Sequence, residues 1–199
     1  MTSDRRDTPA GPRPSTRDVV LLDQQDRPTG TMGKHAAHMR GLYHAAISII
    51  LVDRNGRQLL QRRATTKYHC GGMWTNACCS HQMAGETSLA AAQRRLHDEL
   101  RLRMPLKPLA RVRYRARVGH LVEHECVDLF VGLVEAMPRI NPKEAADIAW
   151  LSPGDPHARD PLTPWSALYL DLFGFDVPRA RALGEDDGAV HDCGPLFRL

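Results

Sequence analysis

The chain of 199 residues has little of what marks a secreted, membrane or nucleic-acid-binding protein. Its five cysteines (Cys70, Cys78, Cys79, Cys126, Cys193) are odd in number, two are adjacent, and none shows disulfide or zinc-ribbon spacing. Such usage fits a reducing compartment. The longest apolar run, 45–52, is far too short to span a membrane. The first residues, with Arg5, Arg6, Pro9, Pro12 and Pro14, lack the apolar core of a secretion signal. Aromatic residues make up only 6%, and a net charge of +4 is scattered rather than blocked, which argues against a nucleic-acid partner. These absences lead us to expect a cytoplasmic protein that engages neither membrane nor nucleic acid. With 42% hydrophobic and 25% charged residues, one domain with a sizeable core is expected.

Residues 1–17 are polar and proline-rich and read as a disordered arm, 18–183 as the domain, and 184–199 as a C-terminal tail. Alternating or continuous apolar runs predict strands over 19–23, 43–52, 58–62, 109–118, 121–134 and 148–151. A turn is expected over 24–30, and hairpins about Asn55-Gly56 and Gly119-His120. Helices are expected over 32–39, over 87–100, and after Thr163 with Pro164 at the first position. Strands dominate with helices packed on them, an α+β class.

The chemistry centres on 74–99. Read as one strand, 74–81 sends Cys79 and His81 to the same face. A turn at Ala84-Gly85 follows, then a helix carrying Arg94, Arg95, Asp98 and Glu99. A thiol, an imidazole, guanidinium groups and a carboxylate suit a site that holds a phosphorylated ligand through a metal and moves a proton beside it.

Four groups of residues point to function, and each also has a structural explanation. His38, His44, His81, Glu123 and Glu125 could make an octahedral site for a divalent cation; each histidine alone could equally be a satisfied structural residue. Cys79 could be a small buried hydrophobe, or a proton carrier opposed by Glu125 across an alkene. Lys34, Arg63, Lys67 and Arg95 could clamp a diphosphate, or belong to a solvated face with the pairs Arg95–Glu99 and Arg94–Asp98. Glu99 could instead hold Mg²⁺ against a diphosphate. Tyr114, Trp74 and Trp165 could stabilise a carbocation or simply pack the core.

In order along the chain stand KHAAH at 34–38, LYHAA at 42–46, RRATTK at 62–67, WTNACCSH at 74–81, RRLHDEL at 94–100, YRA…VEHE at 114–125 and TPW at 163–165. Together they resemble type I isopentenyl diphosphate isomerase, in the Nudix fold superfamily, over roughly 19–175. The resemblance implies a Nudix-like mixed β-sheet sandwich. It implies Cys79 and Glu125 as the two catalytic groups, with Tyr114 and Trp165 as further active-site residues. It implies Lys34, Arg63, Lys67 and Arg95 as diphosphate-binding cations. His38, His44, His81, Glu123 and Glu125 would hold Zn²⁺, Mn²⁺ or Mg²⁺. Glu99, with the Cys79 carbonyl, would hold the Mg²⁺ that bridges to the diphosphate. The expected partner is a small prenyl diphosphate, and the expected assembly is a monomer or weak homodimer. In the expected reaction Glu125 with Tyr114 is the acid relay and Cys79 the base.

The Nudix signature is degraded. Glu86, Arg94 and Glu99 fit it, but Ser80, Arg95, Asp98 and Arg101 stand where Gly, Glu, Glu and Gly belong. Lost acidic residues weaken the metal cluster that a Nudix hydrolase needs. A hydrolase would release phosphate or pyrophosphate, and a silent prenyl-diphosphate binder would exchange no protons. Those readouts separate both alternatives from an isomerase.

Overall fold

The structure is a computed structural model that describes residues 18–155, 161–194 and 196–199. The arm expected over 1–17 lies outside them. The elements are β1 (Asp18–Leu22), β2 (Pro28–Gly33), α1 (Lys34–Arg40), β3 (His44–Val52), β4 (Gln58–Arg63), β5 (Trp74–Asn76) and β6 (Cys78–Ser80). Then come α2 (Ser88–Leu100), β7 (Lys107–Val118), β8 (Leu121–Leu133), β9 (Ala145–Leu151), α3 (Pro164–Phe173), α4 (Asp176–Leu183), β10 (His191–Asp192) and β11 (Phe197–Arg198).

The central strand is β3, and every one of its residues is buried. It runs parallel to β8 from His44 opposite Glu125 to Val52 opposite Leu133. Its other edge is shared: β1 meets His44, β6 meets Ile47 to Ile49, and β4 meets Leu51 and Val52. Alternate side chains of β3 feed two cores. Ile47, Ile49 and Leu51 pack with Ala91, Ala92, Leu96 and Leu100 of α2. Ala46, Ile50 and Val52 pack with Trp165, Leu168, Tyr169 and Phe173 of α3. A strand covered on both faces has no polar side to show, which is why its sequence reads as an unbroken apolar run. The α+β sandwich is as expected.

Several elements differ from the expectation. Residues 28–30, expected as a turn, begin β2, which pairs antiparallel with β1; a run of Pro, Thr and Gly has no apolar alternation to betray it. The single strand expected over 74–81 is two strands broken at Ala77, because β5 pairs with β4 while β6 crosses to β3. The residues after Gly184 also join the sheet, since β10 and β11 both lie parallel to β7. Two-residue strands carry no periodicity, and they are held by the strand they meet. The helix α4 was not expected either.

Helix α2 begins at Thr87, whose hydroxyl accepts from the Ala90 N–H at 3.2 Å. It ends at Arg101 in a left-handed conformation, φ 57°. That is the position where the Nudix signature has glycine, and the backbone keeps the glycine-like turn with a side chain on it. No helix among the described residues is long and apolar enough to cross a membrane.

Candidate active site

Three cross-strand pairs gather the site. Glu125 on β8 stands opposite His44 on β3 and opposite Tyr114 on β7, while Ser48 on β3 stands opposite Cys79 on β6. Paired residues share a face, and so do His44 and Ser48, four apart on one strand. Cys79 and Glu125 are thereby on the same side of the sheet. Together with Tyr114, Trp165, Arg63 and His81 they line one small cavity of about 20 Å³, room for about one water molecule. Lys34 lines both this cavity and an outer cleft of about 640 Å³, where Lys67, Arg95, Tyr68 and Glu144 also lie.

The Cys79 thiol is held on both sides. It accepts from the Ser48 hydroxyl at 3.0 Å and donates to Asn76 Oδ1 at 2.9 Å. Asn76 in turn is oriented by its Nδ2, which donates to the carbonyls of Ile49 and Cys78. Burial pushes the Cys79 pKa up to about 11, against the lowering effect of Ser48 and Thr75. The thiol is therefore neutral near pH 7. Cys78 faces the opposite core, as adjacent strand residues must.

Glu125 is the hub of the other side. Tyr114 donates its hydroxyl to Glu125 Oε2 at 2.5 Å, and His81 Nε2 lies 2.9 Å from Oε1. Burial opposes the charge on Glu125, but hydrogen bonds to His44 and His81 hold its pKa well below the usual carboxylate range. Burial and the neighbouring negative charge push the Tyr114 pKa well above its usual value, so its hydroxyl keeps its proton.

The histidines could serve as cation ligands. His38 Nδ1 lies 2.6 Å from the Lys34 carbonyl and His44 Nδ1 lies 2.7 Å from the Leu42 carbonyl. Carbonyls only accept, so both Nδ1 atoms carry a proton and each ring turns its Nε2 inward. That Nε2 of His38 faces Glu123 Oε2 at 3.0 Å, and that of His44 faces His81 Nε2 at 3.2 Å. Burial and the Lys34 ammonium depress the His81 pKa to about 3, so the His81 ring is neutral. One donor atom each from His38, His44, His81 and Glu125 lies within 4.8 Å of the others. Ring nitrogens and a carboxylate oxygen gathered this closely, with backbone carbonyls fixing the outer nitrogens, form a donor set that could hold a divalent metal. Glu123 adjoins through His38, and its Oε1 is buried with no hydrogen bond.

Glu99 fits a second, harder cation. Its oxygens meet Arg95 at 2.7 Å and Gln61 Nε2 at 2.9 Å, and the other end of that amide, Gln61 Oε1, is buried without a partner. The Glu99 carboxylate and the orphaned Gln61 carbonyl are oxygen donors of the kind Mg²⁺ takes, beside the Arg95 cation.

The expected cations are split between the two spaces. Lys34, Lys67 and Arg95 line the outer cleft, whereas Arg63 lines the inner cavity, its guanidinium 5.6 Å from the Trp165 ring centre. Trp165 itself is fixed by donating to Thr75 Oγ1 at 2.9 Å. Trp74 lines neither space; it pairs with Arg62 on β4. Arg94 meets Asp98 only at 4.0 Å and binds Glu86 through two nitrogens, at 2.7 and 2.8 Å.

Two residues near the site escaped the sequence reading. The His69 side chain is buried, and its Nε2 lies 2.8 Å from Glu123 Oε1, off the line of a good hydrogen bond. It sits in an irregular loop, turned inward by Cys70 at φ 49° and by Gly71, where a Cβ would stand 2.8 Å from the Thr65 carbonyl oxygen. Glu144, just before β9, is ion-paired to Lys67 and lies 3.1 Å from Arg95. Neither has a local pattern; only an unexplained histidine beside Lys67 in the loop hints at the first.

Residues 42–173 match the NUDIX domain family. A solved Deinococcus radiodurans protein, DR0079, superposes with a TM-score of 0.63 at 18% identity, over 76% of this chain and 96% of that one. MutT protein from Methanosarcina mazei gives 0.57 at 17%, over 67% and 93%. At those identities the likeness shows the fold. Sequence relatives go further. The isopentenyl-diphosphate Delta-isomerase of Pectobacterium atrosepticum is 41% identical over 74% of this chain and 83% of that protein. That of Streptomyces griseus is 42% identical over 83% and 86%, and isomerase 2 of Aromatoleum aromaticum is 46% identical over 67% and 71%. With the fold, the ordered motifs and this depth of identity in agreement, the chain belongs to the isopentenyl-diphosphate Delta-isomerases of the NUDIX family.

Proposed function

We propose that this protein interconverts isopentenyl diphosphate and dimethylallyl diphosphate by moving one proton onto the alkene and another off it. The observation that carries the reading is that the Cys79 thiol and the Glu125 carboxylate line one small cavity, next to a cleft of cations. Lys34, Lys67 and Arg95 would bind the diphosphate in the cleft, with Arg63 at the boundary, and the five-carbon end would enter the inner cavity. That cavity, at about 20 Å³, must widen to admit it. When bound, a divalent cation (Zn²⁺, Mn²⁺ or Mg²⁺) among His38, His44, His81, Glu123 and Glu125 supplies a fixed positive charge behind the reacting carboxylate, and Mg²⁺ at Glu99 and the Cys79 carbonyl supplies one to the diphosphate.

The ground-state charges support a proton direction opposite to the one expected from sequence. A neutral thiol and an ionised carboxylate suit Cys79 as donor and Glu125 as acceptor. The S–H proton goes to the terminal CH₂ carbon, whose π electrons form the new C–H bond. This leaves a tertiary cation, with Trp165 beside it. Glu125 then removes a proton from the adjacent methylene, and those C–H electrons become the new double bond. Return of one proton from Glu125 to Cys79 restores the starting state. Tyr114, donating to Glu125, would steady the carboxylate before transfer.

The test is to incubate the protein with isopentenyl diphosphate and divalent cation in D₂O and follow by NMR. Deuterium entering the prenyl group with the diphosphate intact is expected; cleavage indicates a hydrolase, and binding without exchange indicates a silent binder. The direction is tested by partial variants. Cys79→Ser should suppress deuterium entry at the methyl carbon, and Glu125→Gln should suppress loss at the methylene. The opposite pattern restores Glu125–Tyr114 as acid and Cys79 as base.

A further inference from the structure

Glu144 stands out because it is an acid set directly between two cations of the outer cleft. It lines the outer cleft with Lys34, Lys67 and Arg95. One carboxylate oxygen is ion-paired with Lys67, and the other lies 3.1 Å from Arg95 NH2. That same Arg95 nitrogen lies 2.7 Å from Glu99 Oε1. Glu144 thus occupies donors that a diphosphate would need, and it sits one guanidinium away from the carboxylate that suits Mg²⁺.

Its position is built in rather than incidental. The Glu144 N–H donates to the Asn141 carbonyl at 2.9 Å, and its own carbonyl accepts from the Ala64 N–H at 3.0 Å. Asn141 is in turn tied to the end of α2, its N–H donating to the Glu99 carbonyl at 2.8 Å and its Nδ2 to the Asp98 carbonyl at 3.2 Å. The acid is therefore anchored to the loop that carries Lys67 and to the helix that carries Arg95. Burial opposes its charge, yet the hydrogen bond from Lys67 and the field of Arg95 keep its pKa below the usual range. It remains an anion at neutral pH.

An anion entering this cleft must take Lys67 and Arg95 from Glu144, and then lie against the displaced carboxylate. A bare phosphate or diphosphate meets repulsion there. A diphosphate that brings a divalent cation does not, because that cation offsets both charges. We propose that Glu144 is a specificity-determining residue that restricts the cleft to metal-complexed diphosphates. This rests on the reading of the cleft as a diphosphate site.

The experiment is calorimetric titration of the full chain with inorganic pyrophosphate, with and without Mg²⁺, for the native protein and two variants. The native protein should bind the magnesium form about tenfold or more tightly than the bare form, the scale of one partly buried like-charge contact. Glu144→Gln should tighten binding of the bare form about tenfold and narrow the gap between the two affinities, leaving only the preference that Glu99 gives the magnesium form. Glu144→Asp, which keeps the charge, should preserve the native preference. An equal loss for both forms in Glu144→Gln would overturn the proposal, since Glu144 would then only prop Lys67 and Arg95. A selective loss of the magnesium form would overturn it too, because Glu144 would be a ligand of the metal. If the native protein binds neither form, the diphosphate site itself is refuted, an outcome distinct from failure at Glu144.

Discussion

At the scale of single residues, the site works by fixing which atoms carry protons. Asn76 cannot turn, since two backbone carbonyls hold its NH₂, so its oxygen must accept from the thiol of Cys79. His38 and His44 are fixed likewise by backbone carbonyls. Removing a proton carrier from such a site is expected to cost about 10²–10⁴-fold in rate. Both Cys79→Ala and Glu125→Gln should therefore lower kcat by that order with a smaller change in KM, measured by dimethylallyl diphosphate formation. A large rise in KM with kcat intact would contradict these roles. His69 gives a second residue-scale expectation. Packed beside Glu123, it should help hold that carboxylate, and His69→Phe should weaken cation affinity by about 10–100-fold, read in a chelator competition. Undiminished affinity would make His69 a bystander. His38, His44, His81, Glu123 and Glu125 were legible as candidate donors from their residue types and motifs, and the fold brings His38, His44, His81 and Glu125 together. His69 was not, because nothing local distinguishes a loop histidine that turns inward from one that faces water.

At the scale of elements, the pieces that present the site are short and depend on what they meet. β6 is only three residues, yet its pairing with β3 sets Cys79 opposite Ser48. Helix α2 presents Arg94, Arg95 and Glu99 and closes on Arg101 in the left-handed region at φ 57°. A side chain there costs about 1–2 kcal/mol relative to glycine, part of which glycine returns as unfolded-state entropy. Arg101→Gly should accordingly raise stability by about 0.5–1 kcal/mol in a denaturant titration, with no loss of helix. A destabilised variant would mean that the Arg101 side chain makes contacts worth more than the strain. The helix was legible in the sequence through its cap and apolar spacing, with observed bounds of Ser88–Leu100 against an expected 87–100. The break at Ala77 was not, since it arises only because the chain passes from one partner strand, β4, to another, β3.

At the scale of the whole molecule, buried carboxylates tie stability to pH. A hydrogen bond from Arg94 is the main cause of the lowered pKa of Glu86, with burial opposing it. For Glu123, burial and the charge of Glu125 oppose ionisation, but His38 and His69 hold its pKa down to about 2. Each folded-state pKa lies below its unfolded value. The stabilisation is therefore complete above the unfolded carboxylate range, about pH 4–5, and is lost as pH falls through the folded values. The melting temperature of the metal-free protein should decline steadily from about pH 5 towards pH 2. A flat profile over that window would show that these pairs contribute little. Added divalent cation at neutral pH should raise the melting temperature, because a ligand bound only by the folded state stabilises it by mass action.

The sequence by itself determined most of the strands and helices around the site, the residue types available for chemistry, and the family. Periodicity, caps and contiguous motifs are local, and local pattern survives in a string of letters. Only the tertiary structure decided which groups face one another. Ser48 meets Cys79 across 31 positions, His81 meets Glu125 across 44, and Lys67 meets Glu144 across 77. Those contacts follow from strand register and loop closure, which depend on the packing of the whole sheet against its two helical layers. For that reason the acid between the cleft's cations, and the charge states of the two proton carriers, became visible only once the chain was folded.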